Sequence, residues 1–134
     1  MTKYPYKRVL VTGGAGFIGS SFIQQLSIRN EEVEIVNLDN LSYATSPNTL
    51  ELLNKAPKYS HIDLDITNSS ELDKVVQEFN PDLLINFAAE SHVDKSIDSA
   101  LPFINTNIIG TFNLLESARK MKKKNTFLFH HVST

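Results

Sequence analysis

Apolar residues recur along this chain in two alternating rhythms. Short continuous runs at residues 8–12 (R-V-L-V-T), 33–38 (V-E-I-V-N-L), 59–63 (Y-S-H-I-D), 83–88 (L-L-I-N-F-A) and 126–132 (T-F-L-F-H-H-V) are too short for helices, and their mainly aliphatic and β-branched content predicts strands. Between them the apolar residues fall three and four apart, one face of a helix. Phe17, Ile18, Phe22, Ile23 and Leu26 mark a helix from Gly16 to about Asn30. Ser46 and Pro47 can cap and open a second, running through Leu50, Leu52 and Leu53 to about Ala56. Asn68 or Ser69 can cap a third with Leu72, Val75, Val76 and Phe79 inside, closed by Asn80 and Pro81. A long fourth helix is predicted from Pro102 through Phe103, Ile104, Ile108, Phe112, Leu115 and Ala118, finishing in the basic run Lys120 to Lys124.

Strand and helix alternate from end to end, which predicts an α/β fold: a doubly wound, Rossmann-like parallel sheet with right-handed crossovers and helices on both faces. Such a fold usually carries at least one more helix and strand after its fifth strand, so residues 1–134 are expected to form one incomplete, truncated domain. With strand order 3-2-1-4-5, strand five is left as an uncovered edge.

Composition adds exclusions. A hydrophobic fraction of 41%, a charged fraction of 21% and a net charge of −2 are ordinary for a globular protein and give no general pull toward nucleic acid or an anionic membrane. The absence of cysteine removes disulfides and thiolate metal sites. No apolar run reaches the roughly 18 residues of a membrane span, and residues 1–8 lack the apolar stretch of a signal peptide, so a cytoplasmic location is expected.

Candidate chemistry begins at V-T-G-G-A-G-F-I-G-S, residues 11–20. Gly13, Gly16 and Gly19 stand between a strand and a helix, where glycines allow a tight turn, close approach to a pyrophosphate and close packing of helix on strand. The helix N-terminus then offers free N–H groups and a positive dipole end. Asp39 lies at the end of the next strand, about twenty residues on, where a carboxylate can accept both ribose hydroxyls and would repel a 2′-phosphate. NAD is therefore expected over NADP. Asp65 with Ile66, after strand three, is placed to border an adenine. Ala88, Ala89, Glu90, Ser91 and His92 follow strand four, at the carboxyl edge of the sheet where ligand sites cluster. Thr106, early in the long helix, can reach the cofactor, whereas Asn107 beside it is the kind of polar residue that more often faces solvent. Ser133 and Thr134, past strand five, are possible substrate contacts. His130 and His131 are neighbours on a strand and point to opposite faces, so they cannot share a metal ion; one of them is expected in the core.

Taken together, T-G-G-A-G-F-I-G-S, L-D-N-L-S-Y-A, N-F-A-A-E-S-H-V-D-K-S-I, F-I-N-T-N-I-I-G-T and F-H-H-V-S-T resemble the dTDP-glucose 4,6-dehydratases of the extended short-chain dehydrogenase/reductase superfamily. The A-A-E-S-H-V-D segment is far more specific than the glycine turn, which the whole superfamily shares. The resemblance implies a tightly held NAD, a nucleotide-sugar substrate such as dTDP-glucose, and a homodimeric parent protein. It implies that Gly13, Gly16, Phe17, Ile18 and Gly19 hold the pyrophosphate. Asp39, Asn40, Leu41, Ser42 and Ala44 would hold the adenosine ribose, with Asp65 and Ile66 at the adenine. Phe87, Ala88, Ala89, Ser91 and Thr106 would line the nicotinamide half, while Ser91, His92 and Thr134 approach the sugar, Thr134 as a catalytic residue.

The chain also departs from the family. Thr45 stands where the family carries a glycine, and Lys95 replaces an arginine, keeping charge but losing bidentate geometry. The Asp-Glu pair and Tyr-x-x-x-Lys that serve elimination and oxidation in the family are not in these residues, so the chain alone is expected to be inactive. Two other readings stay open: a nucleotide-sugar epimerase or decarboxylase of the same superfamily, and a non-catalytic NAD-binding module.

Overall fold

The structure is a computed structural model that describes residues 4–42, 45–121 and 125–133. Its centre is a five-stranded, all-parallel sheet in the order β3-β2-β1-β4-β5. The strands are β1 (Arg8–Thr12), β2 (Glu34–Asp39), β3 (Tyr59–Asp63), β4 (Leu83–Asn86) and β5 (Leu128–His131). The helices are α1 (Phe17–Arg29), α2 (Pro47–Leu53), α3 (Ser69–Phe79), α4 (Val93–Asp98), α5 (Leu101–Phe103) and α6 (Thr111–Arg119), with a π-helical stretch at Ile104–Gly110. This is the doubly wound order expected from the alternation. β1 pairs with β2 on one side and β4 on the other, so the chain reverses direction across the sheet at the carboxyl end of β1. A crevice opens there, where loops on either side of β1 diverge.

Alternate strand residues feed two cores. Val9, Val11, Ile35 and Ile85 pack with Ile23, Leu26 and Leu53 on the face covered by α1 and α2. Leu10, Val36, Leu38 and Leu84 pack with Leu72, Val76, Phe79 and Leu114 on the face covered by α3 and α6. β1, β2 and β4 are buried on both faces, which is why their sequences run apolar without alternation. Asn68 caps α3 by accepting from Glu71 N at 3.3 Å, and Asn80, left-handed at φ +50°, ends it.

Several expectations are corrected. In α1, Phe17 and Ile18 are 92% and 62% exposed where they border the crevice, and the buried face is Gly19, Ser20, Ile23 and Leu26. β4 stops at Asn86, since Phe87 and Ala88 already turn into the crevice. α4 was not anticipated from the apolar pattern, and the long helix predicted from Pro102 runs continuously from Leu101 to Arg119 with a π stretch inside it. The apolar stripe predicted to be its buried face is instead largely exposed: Ile104, Ile108, Phe112 and Leu115 lie between 45% and 61% accessible. The helix docks through Gly110, Leu114 and Ser117: Leu114 fills the core, while the small Gly110 and Ser117 permit close approach to Ile66 and to α3. Both His130 and His131 are exposed, because nothing among the described residues covers their faces of β5. Of the basic run ending the last predicted helix, Lys122 to Lys124 lie outside the described residues. No helix among the described residues is long and apolar enough to cross a membrane.

Candidate dinucleotide-binding site

The crevice at the end of β1 encloses about 680 Å³. One wall is the glycine turn, shaped by the strand beneath it. Gly13 turns at φ +71°, and a Cβ there would lie 2.5 Å from Ala88 N, so only glycine fits between the two loops. Asn37 and Asp39, two residues apart on β2 and therefore on one face, take successive N–H groups of the turn. Gly14 N donates to Asn37 Oδ1 at 2.9 Å and Ala15 N to Asp39 Oδ2 at 2.9 Å. Gly16 N donates to Gly13 O at 3.2 Å.

Three consecutive turn amides are thus used internally. The first bond of the α1 ladder then runs from Ser20 N to Gly16 O at 2.9 Å. The N–H groups of Phe17, Ile18 and Gly19 precede that ladder, and no side chain caps this helix end. They are the amides left for a ligand, at the positive end of a 13-residue helix.

The glycines of the turn divide by cause. A Cβ on Gly19 would overlap Gly13 O, and one on Gly14 would overlap the Asn37 amide, so these two are required by packing. At Gly16 a Cβ would meet only Gly13 O, at 3.4 Å, an ordinary contact. Its bare backbone lines the crevice without any need of the fold, which is what close approach by a ligand requires.

Asp39 completes this side. Its second oxygen, Oδ1, accepts from Leu41 N at 2.9 Å, holding the residue after Asn40 in a left-handed conformation at φ +51°. Beyond it Asp65 Oδ1 accepts from Thr67 N and Thr67 Oγ1, both at 2.8 Å, and Oδ2 from Asn40 Nδ2 at 3.2 Å. Partial burial works to raise the Asp65 carboxyl, but these three hydrogen bonds outweigh it and hold the group below its ordinary value. The carboxylate stays charged and ties the β3 loop to the β2 loop.

The other wall follows β4. Asn86, 1% exposed, accepts from Thr12 Oγ1 at 2.5 Å and from Ala88 N at 3.0 Å through Oδ1, while Nδ2 meets His131 Nδ1 at 3.1 Å. Farther out, Asn107 does not face solvent idly: its Oδ1 accepts from Glu90 N at 2.9 Å and its Nδ2 donates to Glu90 O at 3.1 Å. The π stretch that carries Asn107 also brings Thr106 to the crevice. At its end Gly110 packs against Ile66, and Asn113 Nδ2 donates to Ile66 O at 3.0 Å, so this helix touches the loops of both walls.

The structure brings together nearly every residue singled out from sequence. Gly13, Gly16, Phe17, Ile18 and Gly19 line the crevice at the turn, and Asp39, Asn40, Ser42, Asp65 and Ile66 line it along β2 and β3. Phe87, Ala88, Ala89, Ser91, His92 and Thr106 line the β4 side. Leu41 is not among the lining residues, and Ala44 and Thr134 lie outside the described residues. Lining residues that were not singled out as cofactor contacts are Leu38, Leu64, Thr45, Glu90, Val132 and Ser133. Asn37 and Asn86, which hold the walls, were missed. Their signal is an amide set inside an otherwise apolar strand, V-N-L and I-N-F. No lysine or arginine is among the described lining residues.

Comparison with known proteins gives a consistent picture. The family model described as GDP-mannose 4,6 dehydratase matches residues 10–134. The dTDP-glucose 4,6-dehydratase of Neisseria gonorrhoeae is 46% identical over 134 residues, covering 96% of this chain and 38% of that protein. Among solved structures, the dTDP-glucose 4,6-dehydratase of Bacillus anthracis in complex with NAD is 35% identical with a TM-score of 0.78, covering 95% of this chain and 37% of that one. The UDP-glucose 4-epimerase of Thermus thermophilus in complex with NAD is 31% identical with a TM-score of 0.73, over 85% and 34% of the two chains. The chain thus spans less than two-fifths of the length of these relatives.

Proposed function

The chain belongs to the GDP-mannose 4,6 dehydratase family, and from that premise we propose that it forms the NAD-binding part of a nucleotide-sugar 4,6-dehydratase acting on dTDP-glucose in the cytosol. The observation that carries the reading is the division of amides at the glycine turn. Gly14, Ala15 and Gly16 are satisfied within the protein, while Phe17, Ile18 and Gly19 open the helix beside a glycine the fold does not need. These residues fit a pyrophosphate: N–H donors and the helix dipole meet its charge where no lysine or arginine is among the described lining residues.

Asp39 then selects the ribose. Fixed by Ala15 N and Leu41 N, its carboxylate borders the crevice and disfavours a 2′-phosphate, for which the described walls offer no cation. Asp65 and Ile66 border the adenine, and Phe87, Ala88, Ala89, Ser91 and Thr106 take the nicotinamide half. Ser91, His92 and Thr134 approach the sugar. When bound, the nicotinamide supplies a hydride acceptor and donor for oxidation at sugar C4, loss of water across C5 and C6, and return of the hydride to C6. The sequence contains no Tyr-x-x-x-Lys, so we assign this chain binding and orientation of the cofactor, not turnover by itself. Dehydration is preferred over epimerisation because the A-A-E-S-H-V-D segment and the 46% identity both point to the dehydratases.

Calorimetric titration tests the reading. The folded chain should bind NAD and should bind NADP about tenfold more weakly or worse, the scale of one charged interaction. Asp39→Asn should narrow that gap. With dTDP-glucose and NAD present, no keto-sugar should accumulate. A folded chain indifferent to NAD would overturn the proposal, and keto-sugar formation would overturn the assignment of binding alone.

A further inference from the structure

Asn37 accepts from the glycine turn but does not line the crevice. It sits in the middle of β2, fully buried, at a position whose strand neighbours Val36 and Leu38 are apolar. A buried amide costs stability unless its polar atoms are all engaged. Here they are: Oδ1 accepts from Gly14 N at 2.9 Å, and Nδ2 donates to Tyr59 Oη at 3.1 Å. The amide occupies the space a side chain at position 14 would fill, since a Cβ on Gly14 would overlap Asn37 Oδ1 and come 2.5 Å from Ile23 Cδ1. Gly14 is therefore a glycine for Asn37, whereas Gly16 is a glycine facing the crevice.

We propose that Asn37 is a positioning residue for the pyrophosphate cradle, oriented in turn by the Tyr59 hydroxyl. The inference rests on the dinucleotide reading above. By fixing the Gly14 amide inward, Asn37 sets the turn so that the chain emerges with Phe17, Ile18 and Gly19 N–H directed at the ligand. An apolar side chain at position 37 would leave Gly14 N–H buried without a partner, and the turn would rotate to find one. Tyr59, on β3, lies outside the crevice lining, and the hydrogen bond its hydroxyl accepts from Asn37 links it to the glycine turn.

The test is a double-mutant cycle read in NAD affinity, with Gly14 amide exchange as the local probe, on the same 134-residue chain. Asn37→Leu should weaken NAD binding about tenfold and speed exchange at Gly14. Tyr59→Phe should weaken binding by a few fold in the native background and by nothing in the Asn37→Leu background, the coupling that two members of one chain of contacts show. A loss of general stability would not produce that coupling in protein that is still folded. Should Asn37→Leu fail to fold, Tyr59→Phe carries the test alone, through faster Gly14 exchange together with weaker NAD binding. Native protein that binds NAD while the variants bind it equally well would overturn the role of Asn37. Native protein that does not bind NAD would overturn the dinucleotide reading, and this inference with it.

Discussion

The two walls of the crevice are built in opposite ways. On the glycine-turn side, the side-chain hydrogen bonds to the turn amides come from β2 of the same strand–turn–helix–strand unit: Asn37 and Asp39 hold the turn, and Gly19 lets it pack on itself. On the β4 side, support depends on tertiary docking: Asn107 holds Glu90 from a helix that is itself seated on α3 and Ile66. The first wall is held mainly by side chains of the strand beneath it. The second depends on how a helix docks, and that helix leaves a stripe of large apolar residues exposed.

The largest effect expected from this contrast is at Gly13, where the walls meet. Gly13→Ala combines a left-handed φ with overlap onto the Ala88 backbone, and chemical denaturation should show a loss of about 3 kcal/mol or more. On the helix wall, Leu114→Ala should cost about 2–5 kcal/mol, because Leu114 is completely buried. Phe112→Ala, two residues away, should change stability by no more than about 0.5 kcal/mol, since Phe112 is 57% exposed. Equal losses at the two positions would mean that the stripe is packed and that the docking described here is wrong.

A smaller effect separates the walls by pH. Asp73 on α3 is held below its ordinary 3.8 chiefly by the Lys120 ammonium, opposed by partial burial and helped by Ser117 and Gln77. Lys120 Nζ lies 3.0 Å from Asp73 Oδ2, and Ser117 Oγ donates to Oδ1 at 3.0 Å. A depressed carboxyl stabilises the fold above its ordinary value, and that contribution disappears as pH falls through the lower folded value. The stability difference between native protein and Asp73→Asn should therefore be constant above 3.8 and shrink in stronger acid. It should stay below about 1 kcal/mol, because the pair is partly exposed and screened.

The same contrast explains what could be read from the sequence. The alternation of apolar runs and helical spacing was enough for a doubly wound parallel sheet, and the glycine-turn wall was legible because Gly13, Gly16, Gly19 and Asp39 fall within about thirty residues of one another. The helix wall was harder. Apolar spacing through the π stretch and α6 pointed to a face with Ile108, Phe112 and Leu115, but Gly110 against Ile66 and Ser117 against Asp73 of α3 mark the face that packs closely. The π stretch shifts the helical register in a way no three-and-four periodicity reveals. Asn37 and Asn86 look like blemishes in apolar strands until their partners, Gly14 and Tyr59 in one case and Thr12, Ala88 and His131 in the other, are in place.

The most direct test of the account is at Gly16, which the fold leaves free and the ligand is proposed to need. Gly16→Ser places a good N-cap residue at the start of α1, where an added Cβ meets only Gly13 O, at 3.4 Å. Thermal unfolding and NAD titration should be measured on the same preparation. The account predicts a melting temperature equal to or slightly above that of the native chain, with NAD affinity reduced at least about tenfold. Unchanged NAD affinity in a folded Gly16→Ser chain would contradict it, for the glycine turn would then serve the fold alone.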